Sequence, residues 1–428
     1  MKIGFFSDMY LPRLDGIAIS IETFRTELEA MGHEVYIFAP KPNLRYKEPH
    51  KRIIRFPAVK GLFFEDYLTS FYFPPQALKK IEKLKLDVIH YHTPSQVGLL
   101  GAYYAMRNDI PLITTYHTDL FEYVKHYPQV LPGTIALSLL APAFTGGGLA
   151  DFRTGLSAIK PERNVDAWNQ KIVARSVTMI HNYCDVVITP SVKIKDQLKG
   201  WGTKSKLVVL PTGVDRITTN TKEIAEARKL YGITPTDRTV LFVGRTGTEK
   251  NLGLLIRSFD AVAAKDHRAK LLIVGTGEDL QAFKTQAAAS EYAKRITFAG
   301  HVAHDKLGAL YAIASVFAFP SLTDTQGLVL NEAARAGLPI VMTDPTVTEV
   351  VRDGYNGYFA KPNARNLASK INQVLADDET RLEMGRRSAE LAGEFSATNQ
   401  AVKLLRLYEE TVERHRESKT DHIKARSA

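Results

Sequence analysis

The sequence of 428 residues contains only one cysteine, Cys184. A single thiol cannot form an internal disulfide, so disulfide-stapled folds are excluded, and sparse cysteine fits a reducing cytoplasm. Cys184 precedes the run Asp185-Val-Val-Ile, which has the composition of a buried strand. We therefore predict a packed core thiol at this position.

Long apolar runs are also scarce. The nearest approach to a membrane span, Val130 to Ala150, carries no charge but contains Pro132, Pro142 and three consecutive glycines. These helix breakers make a transmembrane helix a poor interpretation of the run. The amino-terminal residues Met1 to Asp8 predict a first strand and not a secretory signal.

Several catalytic motifs are missing. The sequence has no CxxC pair, no HExxH helix, no GxxxxGK[ST] loop and no GxSxG elbow. These absences argue against zinc proteases, P-loop NTPases and α/β-hydrolases. Gly275-Thr-Gly277 begins a GxGxxG-like pattern, but Leu280 stands where the third glycine belongs. The incomplete pattern counts against a nicotinamide-dependent dehydrogenase.

Acidic residues are fewer than basic ones, 46 against 56, and the formal net charge is +10. This excess predicts an anionic partner, which charge alone leaves open among a membrane surface, nucleic acid and a phosphorylated substrate. With 45% hydrophobic and 24% charged residues, the composition is that of a soluble globular protein. The length favours two domains.

The basic residues concentrate between Lys41 and Lys60, and aromatic residues follow up to Phe73. A short amphipathic helix is then predicted from Gln76 to Leu86. Basic and aromatic residues beside such a helix suit an anionic membrane interface. A helix packed on the sheet with a solvated lysine face explains the pattern equally well. The candidate membrane-binding residues are Lys51, Arg52, Arg55, Lys79, Lys80 and Lys83.

Strand, helix and strand alternate from the amino terminus, which predicts an α/β fold with parallel sheets. Asp87 to His92 and Ile110 to His117 both predict strands ending in histidine. Ligands of open α/β sheets bind beyond the carboxyl ends of strands, so His117 is the stronger candidate and His92 could line the same site. The pattern restarts after Asp215, and we place the domain boundary between residues 203 and 204.

Two stretches of the second half carry the strongest site signals. Arg245 and Lys250 follow a strand and could clamp a diphosphate. Asp324 and Glu332 flank a predicted helix start, where the amides of Gln326, Gly327 and Leu328 would bind an anion. From this stretch alone, a helix-capping Asp324 and a solvated Glu332 are the simpler interpretation. In the first half of the chain, Gly16 precedes a predicted helix, where an ordinary turn glycine and a phosphate contact are equally good explanations.

These motifs together resemble the retaining GT-B glycosyltransferases of family 4. The likeness covers most of the chain and includes Tyr116-His-Thr-Asp119, Pro211-Thr-Gly-Val-Asp215, Gly244-Arg…Glu249-Lys-Asn251 and Gly300-His-Val302. The acid pair has the spacing of the family's E-x7-E motif, with Asp324 in place of the first glutamate.

The resemblance implies two Rossmann-like domains with a cleft between them. Residues 1–203 would form an acceptor- and membrane-binding domain, joined by a carboxyl-terminal helix at about 399–416 that crosses back to it. Residues 204–398 would bind the nucleotide sugar.

The resemblance also implies roles for single residues. Arg245 and Lys250 would hold the diphosphate, and Glu332 the ribose. Asp324 and the amides of Gln326, Gly327 and Leu328 would hold sugar hydroxyls and phosphate. His117 would contact the sugar or the acceptor. The remaining donor contacts would come from Gly16, at the phosphates, and from the backbone of Gly300 and Val302, at the nucleobase.

The Thr323-Asp-Thr-Gln-Gly-Leu328 segment is similar to that of bacterial diacylglycerol glucosyltransferases. The likeness implies transfer of glucose from UDP-glucose to 1,2-diacylglycerol at the inner face of the cell membrane, without a metal or another cofactor and without nucleic acid. Alternatives are a family 4 transferase with a phosphatidylinositol, glycan or small-metabolite acceptor. A basic membrane- or nucleic-acid-binding module with a vestigial site is a further alternative.

Overall fold

The computed structural model describes residues 1–427 except 14, 44, 61–67, 71, 127–130, 137–152 and 154–162, and for 420–427 it describes the backbone alone. Most of the run from Val130 to Ala150 and the aromatic residues Phe63, Phe64, Tyr67 and Phe71 therefore lie outside the described residues. The chain forms two compact units. The first comprises Met1–Thr212 with Ala397–Ala428, and the second comprises Gly213–Ser396.

The first unit is built on a parallel sheet of seven strands with the order β3-β2-β1-β6-β7-β8-β9. These strands are β1 Lys2–Phe6, β2 Glu34–Pro40, β3 Ile53–Phe56, β6 Val88–Tyr91, β7 Leu112–Thr115, β8 Val186–Thr189 and β9 Lys206–Val209. A separate antiparallel pair consists of β4 Val59–Lys60 and β5 Leu68–Thr69.

Helices cover both faces of this sheet. They are α1 Gly16–Ala30, α2 Pro75–Leu84, α3 Gln96–Asn108, α4 Leu120–His126, α5 Val165–His181, α6 Val192–Gly200 and the C-terminal helix Ala397–Ser427. One apolar cluster joins Phe24 of α1 to Leu404 and Tyr408 of the C-terminal helix. A second joins Ile81 of α2 to Tyr104 of α3. Cys184 is a free, buried thiol that packs in this second cluster, as the sequence predicts.

The division between the units falls after Thr212, later than the boundary predicted between residues 203 and 204. The difference arises because Lys206–Val209 pairs in parallel with β8 as the edge strand of the first sheet. The sequence pattern shows a strand here, but a strand's pattern does not reveal which sheet it joins. The C-terminal helix belongs to the first unit, and its helical residues begin at Ala397.

The second unit contains a parallel sheet of six strands with the order β12-β11-β10-β13-β14-β15. The strands are β10 Arg238–Val243, β11 Ala269–Val274, β12 Ile296–Gly300, β13 Val316–Phe319, β14 Ile340–Met342 and β15 Gly357–Phe359. The α-helices are α7 Thr221–Tyr231, α8 Leu252–Lys265, α9 Leu280–Ala288, α10 Leu307–Ile313, α11 Leu328–Arg335, α12 Ala364–Leu375 and α13 Asp378–Gly393. Short 3₁₀ turns occupy Thr248–Lys250, Ala293–Arg295 and His304–Lys306.

In each sheet the strand order reverses once. The chain adds strands toward one edge and then returns to the centre to build the other, which places the reversal between β1 and β6 in the first unit and between β10 and β13 in the second. The loops after such a pair of strands diverge to opposite faces of the sheet and leave a crevice where ligands bind. The topology thus marks one candidate position in each unit.

In the first unit this position is occupied by the protein's own carboxylate. Asp8, in the loop after β1, accepts hydrogen bonds from the amides of Val97 at 2.9 Å and Gly98 at 3.2 Å, in the first turn of α3. It also accepts one from the Thr93 hydroxyl at 2.7 Å. Burial raises the pKa of Asp8 from 3.8 to about 6, although the hydrogen bonds oppose the rise.

We expect the Asp8→Asn variant to change how stability depends on pH. A carboxyl whose pKa is raised by folding stabilises the protein most below pH 4, and this contribution is lost as pH rises through about 6. The free energy of unfolding of the wild type, relative to the variant, should therefore fall by roughly 1–3 kcal/mol between pH 4 and 7.

Urea unfolding at a series of pH values measures this difference. Asp196→Asn, which removes an exposed carboxylate of the same unit, is the control and should keep the wild-type dependence. Parallel pH profiles for the wild type and Asp8→Asn would contradict the raised pKa.

Candidate active site

The crevice of the second unit contains an ion pair between the two diverging loops. Lys250 ends the 3₁₀ turn that follows β10, and Asp324 lies in the loop after β13. The Nζ atom of Lys250 lies 2.5 Å from Oδ1 of Asp324, and both side chains are largely buried. Two further hydrogen bonds join the same loops: the Thr323 hydroxyl donates to the carbonyl oxygen of Glu249 at 3.1 Å, and the side-chain Nδ2 of Asn251 donates to that of Pro320 at 3.3 Å.

Gly327 makes the sharp entry into α11. Its φ of +69° is in the left-handed region, which glycine adopts without strain. The helix begins at Leu328, so Gln326 and Gly327 precede it. This corrects the expectation that all three amides belong to the first turn: Leu328 is its first residue, while the amide of Leu330 is already bonded to the carbonyl oxygen of Gly327 at 2.8 Å.

Glu332 is a buried carboxylate and not the solvated helix residue that its local sequence allows. Its Oε2 atom accepts a hydrogen bond from the Tyr311 hydroxyl at 2.7 Å. Its Oε1 atom lies 3.1 Å from Nε2 of His304. The bond to Glu332 raises the pKa of His304. A fixed carboxylate of this kind suits vicinal hydroxyls, because both oxygens accept hydrogen bonds.

Arg245 is also paired with a carboxylate. Its Nη2 atom lies 2.5 Å from Oε1 of Glu249. The turn between them is held by Asp279, whose Oδ2 atom accepts from the amide and hydroxyl of Thr248 at 2.7 and 2.6 Å. Sequence reasoning assigned no role to Asp279 or Glu249, nor to Tyr311 and His304 around Glu332. For Glu249 the available signal was its place in the Gly244-Arg…Glu249-Lys-Asn251 motif, and for Asp279 its place two residues after Gly275-Thr-Gly277.

The glycines of Gly275-Thr-Gly277 allow two loops to approach closely. A Cβ atom at Gly275 would collide with the carbonyl oxygen of Gly244, and one at Gly277 would lie 2.7 Å from the carbonyl oxygen of Thr246. The pattern therefore serves loop packing in this unit. Gly300 ends β12, and its carbonyl oxygen accepts from the amide of Gly275 at 2.8 Å. Val302 packs partly buried against the core.

His117 belongs to the first unit and follows β7. Its Nε2 atom lies 2.9 Å from Nδ1 of His92, which follows β6. The two rings are stacked, and His92 is stacked in turn on His90. Burial lowers the pKa of His117 to about 3, so the ring is neutral at pH 7. Gly16 is the first residue of α1, directly after the capping Asp15. It therefore belongs to the helix and not, as predicted, to the turn before it.

The basic residues proposed for membrane contact fall into two groups. Lys51, Lys79, Lys80 and Lys83 are exposed. Arg55 is not: its side chain is 6% exposed and pairs with Glu48 at 2.8 Å, which argues against its prediction as a membrane contact. Arg52 is half-buried and pairs with Glu29 at 3.2 Å.

The apolar face of α2 packs on the core of the first unit. Ile81 is buried there, and Leu78 and Leu84 pack against the same cluster. This favours the sheet-packed helix over one that inserts its apolar face into a membrane. No helix among the described residues combines the length and the apolar character that crossing a membrane requires.

The crevice of the second unit thus holds two cations, Arg245 and Lys250, each paired with a carboxylate, Glu249 or Asp324. The buried carboxylate of Glu332 lies on the following helix, α11. Lys250 and Arg245 can exchange their carboxylate partners for phosphate oxygens. Glu332 can accept from hydroxyls. The arrangement suits a ligand with a diphosphate in the middle and hydroxyl-bearing groups at its ends. Two α/β units built on parallel sheets define the class of the GT-B glycosyltransferases.

Comparison with known proteins agrees with this class. The model "Glycosyltransferase Family 4" matches residues 14–218, and the model "Glycosyl transferases group 1" matches residues 223–391. The chain is 31% identical over 385 residues to the alpha-monoglucosyldiacylglycerol synthase of Streptococcus pneumoniae, covering 88% of this chain and 78% of the relative. It is 29% identical over 380 residues to the synthase of the same name from Acholeplasma laidlawii, covering 85% of each chain.

A solved structure supports the fold independently. The Anabaena protein HepE in complex with UDP has a TM-score of 0.70 to this chain at 17% identity, covering 96% of this chain and all of HepE. At this identity the likeness concerns the fold alone. The chain belongs to the family 4 glycosyltransferases.

The hydrogen bond between His304 and Glu332 generates a test. In Glu332→Gln the pKa of His304 should fall, because the carboxylate that stabilises the imidazolium is gone while partial burial still disfavours it. Titration of the His304 ring by NMR measures the change. Tyr311→Phe removes the other bond to Glu332 and should leave the pKa of His304 raised. An unchanged His304 titration in Glu332→Gln would show that the two side chains do not interact in solution.

Proposed function

We propose that this protein is a retaining glucosyltransferase that moves glucose from UDP-glucose to 1,2-diacylglycerol at an anionic membrane surface. The observation that carries the donor half is the Lys250–Asp324 pair at the crevice of the second sheet, with buried Glu332 on the following helix. The acceptor half is supported by the names of the two relatives, both alpha-monoglucosyldiacylglycerol synthases.

The donor is held through its diphosphate and its two sugars. Lys250 and Arg245 bind phosphate oxygens and stabilise the charge that grows on the diphosphate as it leaves. Glu332, fixed by Tyr311, accepts from the ribose hydroxyls. Asp324 orients the donor sugar together with the backbone from Gln326 to Leu328, and His117 contacts the sugar or the acceptor.

The reaction exchanges one bond at the anomeric carbon for another. The bond from that carbon to the β-phosphate oxygen breaks, and a bond to the acceptor hydroxyl oxygen forms on the same face. The hydroxyl proton passes to the departing diphosphate, so UDP leaves with the proton and the glucosyl lipid keeps the configuration of the donor. No metal or other cofactor takes part in this scheme.

The acceptor is reached from the membrane surface by the first unit. Lys79, Lys80 and Lys83 lie on the exposed side of α2. Because the apolar side of this helix is used by the core, contact with the membrane is electrostatic: lysines against anionic headgroups, and not insertion of the helix.

Transfer from radiolabelled UDP-glucose to vesicles of diacylglycerol and anionic phospholipid tests the proposal. We expect a lipid-linked product that forms equally in the presence of a metal chelator. Lys250→Ala should lower kcat roughly 100- to 1,000-fold, the cost of removing one group that stabilises charge in a transition state. Lys265→Ala, which removes an exposed lysine of the same unit, is the control and should retain wild-type rates.

Other outcomes identify other activities. Product with phosphatidylinositol, a glycan or a small metabolite, but not with diacylglycerol, would overturn the acceptor. Product only with another UDP-sugar would overturn the donor. Binding to vesicles or nucleic acid without hydrolysis or transfer of any UDP-sugar would replace the enzyme with a binding module. A wild-type rate in Lys250→Ala would refute the site assignment.

Charge reversal on α2 tests the membrane contact. Changing Lys79, Lys80 and Lys83 together to glutamate should weaken binding to anionic vesicles about 100-fold, because their attraction to the surface becomes repulsion. The matched control changes Lys222, Lys229 and Lys265, three exposed lysines of the second unit, to glutamate. Both variants shift the net charge equally, so vesicle sedimentation that weakens alike in both would exclude a specific role for α2.

A further inference from the structure

Three histidines of the first unit form a stacked column at the carboxyl ends of adjacent strands. The rings of His90 and His92 have centroids 4.1 Å apart, and those of His92 and His117 are 5.2 Å apart. Phe5 contacts His90 and His92 edge-on. The Phe5 ring thus encloses the column on the β1 side. It offers no hydrogen-bond acceptor to the imidazoles of His90 and His92.

The far end of the column is anchored by the C-terminal helix. The hydroxyl of Tyr408 lies 2.6 Å from Nδ1 of His90, and Nε2 of His90 lies 2.8 Å from the hydroxyl of Thr115. Both ring nitrogens of His90 are therefore bonded, which fixes this ring in place. His92 rests on it.

His92 has one bonded nitrogen and one that is not. Its Nδ1 atom bonds to Nε2 of His117 at 2.9 Å. Its Nε2 atom is buried and has no hydrogen-bond partner within the part of the chain that the structure describes. Burial and the neighbouring histidines lower the pKa of His92 well below its ordinary value, so the ring is neutral and carries a single proton.

The position of the His92 proton follows from comparing its two tautomers, which leave different groups at the buried, unpartnered Nε2 atom. If His117 donated to His92, the proton of His92 would sit on Nε2, leaving a buried N–H without an acceptor. If His92 donates from Nδ1, its Nε2 atom is a bare lone pair instead. Orphaned buried N–H groups are rarer in proteins than under-satisfied acceptors, which favours the second arrangement.

We propose that His92 is a positioning residue that donates its Nδ1 proton to Nε2 of His117 and thereby holds His117 in the Nδ1–H tautomer. This inference rests on the proposed function in one respect, the assignment of His117 to the substrate. It deepens that function: with Nε2 accepting from His92, His117 does not act as a general base through Nε2.

NMR of protein labelled with ¹⁵N-histidine tests the tautomer without any substrate. The correlations between ring nitrogens and ring carbon-bound protons distinguish Nδ1–H from Nε2–H, and the signals are assigned by their loss in His117→Asn and His92→Asn. We expect His92 and His117 to be Nδ1–H in the wild type. The Nε2–H form of either ring in the wild type would overturn the proposal.

Two variants of His92 separate the hydrogen bond from packing. His92→Phe fills the space but cannot donate, so the Nε2–H form of His117 should appear and kcat/KM should fall about tenfold, the typical worth of one hydrogen bond. His92→Asn keeps a donor, since its amide nitrogen is attached to Cγ as Nδ1 is, and should restore the Nδ1–H form and most of the activity. His117 staying Nδ1–H in His92→Phe would refute the role of His92.

His181→Phe is the matched control. This histidine of the same unit is also buried, has a pKa lowered to about 3 by burial, and packs on Tyr116. The substitution should leave the tautomer of His117 unchanged; a shift equal to that in His92→Phe would mean that packing, and not the hydrogen bond, sets the tautomer. Absence of transfer with every UDP-sugar would remove the proposed function, yet the tautomer measurement would stand or fall separately.

Discussion

Two neighbouring strands of a parallel sheet whose following helices pack on opposite faces leave a crevice between their carboxyl ends. This constraint governs both units of the protein. In the second unit the strands are β10 and β13, and the loops after them carry the Lys250–Asp324 pair. In the first unit they are β1 and β6, which bring Asp8 beside Thr93 and α3. Arg245, Lys250 and Asp324 lie in the loops at this edge of the second sheet, and His117 follows the strand next to β6 in the first. Glu332 lies further along α11.

The crevices of the two units differ in the charged groups that they contain. In the first unit Asp8 satisfies the amides that begin α3, so a second anion there would meet a negative charge in a site that is already full. In the second unit both cations are paired with carboxylates that are held by neighbouring loops. A diphosphate bound there, as proposed, would replace Asp324 and Glu249 as partners, so that the largely buried Lys250 would have a counter-charge before and after binding. The units share a topology, but among the described residues the crevice of the second holds the Lys250–Asp324 ion pair, where that of the first holds Asp8.

How much of this the sequence predicts depends on how far apart the interacting residues are. Apolar runs and turn residues indicate most strands and helices, because those patterns are local. They cannot assign Lys206–Val209 to the first sheet or bury Arg55 against Glu48, since both outcomes depend on tertiary neighbours. The motifs predict both Asp324 and Lys250 as site residues, but not that the two pair with each other. Nor can a local pattern predict the bond from Tyr408 to His90, which spans most of the chain. Local patterns therefore identify candidate side chains, whereas their contacts depend on residues that are distant in the sequence.

The return of the C-terminal helix to the first unit sets an order on biosynthesis. The C-terminal helix, with Leu404 and Tyr408, completes a core whose remaining members come from the first half of the chain. A ribosome that synthesises the chain from its amino terminus therefore releases all of Gly213–Ser396 before the first core can close. The second unit, which is continuous in sequence, can fold as it emerges. The nascent first unit must keep an apolar face covered or solvated until Ala397–Ser427 has been synthesised, and termination before this helix would leave that face exposed.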